Sequence, residues 1–266
     1  MKSDAAVCPQ LTRCDMTCQS AALYMKTFRR FIALVWIVVA VAAQGHAQST
    51  AASVDRTNTA VVPVVHTGKR TEAVLQTAKD HPGKCDIVFI GDSITQGWEG
   101  NGKNVWQKYY GKRKCLNLGV GGDRTQHVLW RLERGQLDGV KPKVAVLMIG
   151  TNNSNRDDNS EADILEGVQL VVKRIRERLP KTKIIVVGIF PRGQTFNTQR
   201  GKILQVNQAL AKLADGKMIY YIDFGSQLIE TDGSISKAVM PDHLHLSERG
   251  YVIWAAAIEP KLKKLL

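Results

Sequence analysis

Four short segments carry side chains whose types and spacing suit nucleophilic attack on a carbonyl. Gly91-Asp92-Ser93-Ile94-Thr95 follows an apolar run. Ser93 can therefore present its hydroxyl where a helix begins and backbone N–H groups point at a developing anion. Asn117-Leu118-Gly119-Val120-Gly121-Gly122 offers Gly122, whose N–H no side chain of its own covers. Gly150-Thr151-Asn152-Asn153 offers an amide NH2 able to donate to an oxyanion. Pro241-Asp242-His243-Leu244-His245 sets an acid three residues before a histidine. A buried acid at that spacing fixes an imidazole tautomer and stabilises the imidazolium. Each signal is weak alone, because Gly-Asp-Ser and Asn-rich triplets also make plain turns and Asp-x-x-His is common. His243 competes with His245, but it adjoins Asp242 and is read as a surface or supporting residue. Asp123 reads as structural, an N-cap with Gln126 as its reciprocal partner, opening a helix over residues 124–134.

The elements that must position these groups are legible as alternating strands and helices. Apolar runs at 86–90, 115–118, 144–149, 184–189 and 218–222 have the length and composition of buried parallel strands. Residues 161–179 place Ile164, Val168, Val171, Val172, Ile175 and Leu179 on one helical face. A last helix from Ser247 does the same with Tyr251, Trp254, Ala255, Ile258 and Leu262. Strand–helix alternation predicts a three-layer α/β/α sandwich around a five-stranded parallel sheet of flavodoxin-like order. Ligands of such sheets bind beyond the carboxyl ends of the strands. Three of the four segments follow strands, and the fourth precedes the last helix.

Taken together, Gly-Asp-Ser-Ile, Asn-x-Gly-x-Gly-Gly-Asp, Gly-Thr-Asn-Asn and Asp-x-x-His resemble the sequence blocks of the SGNH (GDSL-type) hydrolase superfamily, in the same order. They span residues 91–245. The sole departure in the first block is Ile94 where the family has Leu. Gly121-Gly122-Asp123-Arg124-Thr125-Gln126-His127-Val128-Leu129-Trp130-Arg131-Leu132, Lys141-Pro142-Lys143-Val144 and Phe190-Pro191-Arg192-Gly193 are similar to the catalytic subunits of intracellular platelet-activating-factor acetylhydrolase. The resemblance implies Ser93 as nucleophile, and His245 as base paired with Asp242. It also implies an oxyanion hole of Ser93 N–H, Gly122 N–H and the Asn152 amide. The expected activity is hydrolysis of a short-chain acyl ester, acetyl above all, carried by a small molecule, a glycan or a lipid, with no metal or organic cofactor. Lysophospholipase and thioesterase activity on the same fold, and a non-catalytic glycan-binding protein, are the alternatives. Trp98, Trp106 and Trp130 are read as core before pocket.

The N-terminus reads as a leader. Met25-Lys26-Thr27-Phe28-Arg29-Arg30 is basic, thirteen apolar residues follow from Phe31 to Ala43, and Gly45 and Ala47 supply the small residues of a cleavage site. Basic, apolar, small is the order of a signal peptide. The apolar run is shorter than the roughly 20 residues a membrane span needs. Expected boundaries are an extension over residues 1–24 with the true start at Met25, a signal peptide over 25–47, a linker over 48–70 and the hydrolase domain over 71–266. The expected location is periplasmic or extracellular, with no stable membrane span after cleavage.

The net charge of +13 falls to about +10 without residues 1–47. A basic surface can attract nucleic acid or anionic lipid. Here the Lys and Arg are dispersed and no binding motif accompanies them, so specific nucleic-acid binding is not expected. Nothing in the sequence indicates oligomeric state. Export leaves Cys85 and Cys115 as the cysteines of the mature chain, too few for a zinc site. Cys85 precedes the first strand and Cys115 opens the second. If those strands are neighbours, a Cys85–Cys115 disulfide is within reach at the sheet end opposite the chemistry; two buried free thiols, their side chains on opposite faces, are the equal alternative.

Overall fold

The computed structural model describes residues 57–81, 83, 85–156 and 158–266. The expected residues 1–24 extension and the 25–47 signal segment lie outside them. Among the described residues no helix is long and apolar enough to cross a membrane.

Five parallel strands form one sheet: β1 (Ile87–Gly91), β2 (Cys115–Gly119), β3 (Val144–Met148), β4 (Lys183–Val187) and β5 (Ile219–Ile222). Their spatial order is β2-β1-β3-β4-β5, the expected flavodoxin-like arrangement. β1, β2 and β3 run in register, so Gly91, Gly119 and Met148 lie side by side at the carboxyl edge. Successive side chains alternate between two apolar layers. Val88, Ile90, Leu116, Leu118, Ala145 and Leu147 face one layer, while Ile87, Phe89, Val144, Val146 and Met148 face the other.

Helices cover both faces. α1 (Lys69–Asp80), α4 (Thr125–Glu133), α5 (Glu161–Arg178) and α6 (Thr198–Leu210) pack on the first layer. α2 (Ser93–Gln96), α3 (Lys103–Tyr110) and α7 (Glu248–Leu265) pack on the second. The apolar stripes read from the sequence for α5 and α7 are buried as expected. Ser160 and Ser247 cap the two helices, accepting from the N–H of Asp163 and Gly250. Trp98 is fully buried against Phe89, Tyr110, Tyr251 and Trp254, and Trp106 packs on the same cluster. Both belong to the core. Trp130 lies under the Arg134 guanidinium.

Three expectations need correction. The linker expected over 48–70 is folded from Thr57 onward. Ala60 is buried against α4 and α5, its carbonyl accepting from Thr125 Oγ1 at 2.7 Å, and Asn58 donates to Glu166 at 2.8 Å. Asp123 does not cap α4. The cap position falls on Arg124, whose N–H donates to His127 Nδ1 at 3.1 Å, and Asp123 is withdrawn into the interior. The Cys85–Cys115 bridge is not formed: both thiols are free. Cys115 is aligned with Ile87 and lies on the α7 side of the sheet, whereas Cys85 packs into the opposite layer. Burial pushes the two thiols up to about 11 and about 12 respectively, which keeps them protonated.

Candidate active site

At the end of β1 the chain turns directly into α2. A Cβ on Gly91 would collide with Thr95 and with the Met148 carbonyl, so glycine is what allows the turn to close against β3. Asp92 caps α2 by accepting from Ile94 N–H at 2.9 Å, which leaves Ser93 as its first residue. From α7, Tyr251 donates to the Ile94 carbonyl at 2.6 Å and pins this short helix in place.

The loop before α7 brings the histidine to the serine. Ser93 Oγ lies 2.9 Å from His245 Nε2, and His245 Nδ1 donates to Asp242 Oδ2 at 2.6 Å. With its Nδ1 proton committed to the carboxylate, the ring turns the Nε2 lone pair toward the serine hydroxyl. Asp242 is not the buried acid the spacing suggested. Its side chain is 55% exposed, and it is held by bonds from the backbone N–H of His245 at 2.7 Å and Leu244 at 3.1 Å. Partial burial raises its pKa, but the His245 ring bond and the backbone donors outweigh this and hold it below the ordinary carboxylate value. His243 adopts φ +58° and turns away from the serine, its Nδ1 donating to the Ile235 carbonyl at 3.1 Å and its own carbonyl accepting from Gly193 N–H. It ties down the loop and plays no part in the Ser93–His245–Asp242 chain.

The remaining two segments close around α2. Gly121 N–H donates to Gln96 Oε1 at 2.7 Å, and a Cβ placed there would lie 3.9 Å from Ser93 Cβ. Gly122 takes φ +77°, a left-handed conformation that glycine adopts without strain. Asn152 Nδ2 donates to the Asp123 carbonyl at 2.9 Å, which sets the amide beside Gly122 and leaves its second hydrogen to be directed elsewhere. Arg192 braces that turn, donating to the Thr151 carbonyl at 3.1 Å and to Asn155 Oδ1 at 2.9 Å. An apolar cleft of about 490 Å³ opens beside α6, lined by Pro191, Phe196 and Leu204 among others, but Ser93, His245 and Asp242 are not part of its wall.

Asp92 is fully buried beneath the serine, and one carboxylate oxygen has no partner among the described residues. Burial outweighs the Ile94 bond and the pull of His245 and Arg192, raising its pKa from 3.8 to about 7. A raised folded-state pKa means that the folded protein binds this proton more tightly than the unfolded chain. The favourable contribution is complete below the unfolded value and is lost as pH climbs through about 7. Asp92→Asn, neutral and nearly isosteric, is expected to raise the melting temperature relative to wild type more above pH 7 than near pH 5. An equal effect at both pH values would remove Asp92 ionisation from the stability profile.

Three groups the sequence did not single out as partners meet behind Gly122. His66, Asp123 and His127 offer ligand-type atoms within 4.8 Å of one another. The group does not fit a cation, because its charge is already balanced. Arg131, fully buried, contacts Asp123 directly, and His127 Nδ1 accepts from Arg124 N–H. Burial, His66 and Arg124 push His127 down to about 4. Asp123 is thus a buried anchor: its carboxylate holds Arg131 and His66 while its carbonyl holds Asn152.

Known proteins share both the sequence pattern and the fold of this chain. The family model for GDSL-like lipases and acylhydrolases matches residues 89–253. The human platelet-activating factor acetylhydrolase IB subunit alpha1 is 38% identical over 182 residues, which cover 68% of this chain and 77% of that protein. The rat alpha2 subunit is 37% identical over 185 residues, with coverage of 68% and 77%. Among solved structures, a GDSL-like lipase from Bacteroides thetaiotaomicron superposes with a TM-score of 0.59 at 20% identity, covering 74% of this chain and 98% of that one. An acetylxylan esterase from Geobacillus stearothermophilus superposes at 0.51 and 19% identity, with coverage of 66% and 93%. The likeness of these two structures lies in the fold. The extent of the family match and the identity to the acetylhydrolase subunits decide the assignment: this chain belongs to the GDSL-like lipase/acylhydrolase family and is an ester hydrolase.

Proposed function

We propose that the protein is an exported serine esterase that cleaves short-chain acyl esters, acetyl esters above all, with Ser93, His245 and Asp242 as its catalytic triad. The observation that carries this reading is the hydrogen-bonded chain from Ser93 Oγ to His245 to Asp242. Ser93 Oγ attacks the ester carbonyl carbon while His245 Nε2 takes the hydroxyl proton. The carbonyl oxygen becomes an anion held by the N–H groups of Ser93 and Gly122 and by the free Asn152 N–H. His245 returns the proton to the leaving alcohol as the ester C–O bond breaks, leaving an acyl-Ser93. Water then repeats the sequence, releasing the carboxylic acid and restoring the serine.

Acetyl is favoured because the acetylhydrolase subunits and the acetylxylan esterase both carry it in their names, and because the sequence holds no long apolar lid for a bulky acyl chain. Export rests on the basic, apolar and small-residue order of residues 25–47. A fluorophosphonate probe is expected to label Ser93, and a series of p-nitrophenyl esters from acetyl to dodecanoyl should give its highest kcat/KM at the short end. A maximum at long chains would replace the acetyl reading with a lysophospholipase-type one, and absence of labelling would remove the serine mechanism. The secreted product should begin near Gln48, and a mature chain that retains Cys8 would contradict the leader.

A further inference from the structure

We propose that His66 forms a hydrogen-bond acceptor subsite for a free hydroxyl on the alcohol portion of the substrate, and that the natural substrate is a partly acylated polyol such as a sugar. The inference rests on the esterase reading above and deepens it. His66 comes from the segment before α1, far in sequence from every motif, yet its Cε1 would lie 3.6 Å from a Cβ placed on Gly122. That glycine is the proposed oxyanion donor. The ring is set by its Nδ1, which lies 2.7 Å from Asp123 Oδ1. An ionised carboxylate accepts only, so Nδ1 carries the proton and Nε2 presents a lone pair. Nε2 is bonded to the same Cε1 that faces Gly122, and no described residue partners it. The side chain is 34% exposed, which leaves that edge open to a ligand.

The protonation state fits an acceptor. Burial and the Arg131 charge lower the His66 pKa below the ordinary imidazole value, so the ring is neutral at neutral pH. The neighbouring His127, pushed down to about 4, is neutral as well, and Arg131 neutralises Asp123. An imidazole whose Nδ1 is oriented by a carboxylate is the arrangement that His245 and Asp242 also use, here with a buried acid and aimed beside the oxyanion glycine, away from a nucleophile. An acetyl group carries no hydrogen-bond donor. A donor that meets Nε2 must therefore come from the alcohol side, and a hydroxyl near the ester oxygen is the simplest one. A site built to pair a substrate hydroxyl discriminates against analogues that lack it, because its own polar atom is then left unpaired.

The experiment compares 2-hydroxyethyl acetate with 2-methoxyethyl acetate, which keeps the oxygen and removes the donor. Wild-type protein is expected to prefer the hydroxy ester by about five- to tenfold in kcat/KM, the size of one neutral hydrogen bond. In His66→Ala the ratio should fall to about one, whatever the absolute rates, and His66→Gln, which keeps an acceptor oxygen, should recover part of it. A wild-type ratio near one overturns the proposal without any variant having to fold, and so does a preference that survives in His66→Ala. Either result, obtained with active enzyme, leaves the esterase reading intact. No hydrolysis of any acyl ester together with no fluorophosphonate labelling would overturn both.

Discussion

Ser93→Ala is expected to lower kcat for an acetyl ester on the order of 10⁶-fold while the protein keeps its fold. The serine hydroxyl bonds to His245, whose ring is 42% exposed, so water can replace the lost partner and no buried group is stranded. His245→Ala should cost about as much, and the double variant little more, because nucleophile and base act as one unit. Asp242→Asn should cost less, roughly 10⁴, since the carboxylate orients and stabilises the imidazolium without touching the ester. Its exposure points the same way, for water screens part of what the charge contributes. The measurement is steady-state turnover alongside thermal melting. Near wild-type turnover in folded Ser93→Ala would overturn the serine mechanism, and a loss of activity that tracked a loss of fold would not support it.

What was legible in the sequence is what local pattern encodes. α5 and α7 carry apolar stripes, and β1, β3 and β4 are short runs rich in Val and Ile that are buried on both faces, so both kinds of element stand out from their flanks. Strand order followed from the fold class, and the serine, glycine, asparagine and histidine segments stood where strands end. α6 was harder, because its buried face includes Arg200 and Asn207, which interrupt the periodic signal. Arg200 is tolerated there by donating to the carbonyls of Gly193 and Gly233, contacts no local window contains. Asp123 shows the same limit. Asp-x-x-Gln reads as a cap, but the partners that decide its fate are Arg131, two helical turns on, and His66, 57 residues earlier. The segment around Ala60 has no period and is fixed by distant side-chain bonds, so it read as a linker. The cysteines failed on parity. Cys85 stands two residues before Ile87 and would share its face within a strand, but β1 starts only at Ile87, and the preceding backbone turns the thiol to the other layer.

The second large effect is expected at Asn152. Asn152→Ala should lower kcat by roughly 10²–10³ with little change in KM, because the bond to an oxyanion strengthens only as negative charge gathers on the carbonyl oxygen. The structure favours a strong contribution from a preset donor. One hydrogen of the amide is fixed on the Asp123 carbonyl, and Arg192 braces the Thr151 carbonyl and Asn155 on either side. The second hydrogen therefore needs no reorganisation when the anion forms. A merely structural role predicts a different pattern: a lower melting temperature, with kcat recovering on cooling. Asn152 is only half-buried, so water can satisfy the Asp123 carbonyl in the alanine variant and the melting temperature should change little. Asn152→Asp sharpens the distinction. It keeps the shape but replaces the donor by an acceptor that repels both the Asp123 carbonyl and the oxyanion, and should fall below Asn152→Ala in kcat. If Asn152→Ala raised KM and spared kcat, the amide would hold the ground-state ester and the oxyanion hole would rest on the backbone N–H groups of Ser93 and Gly122.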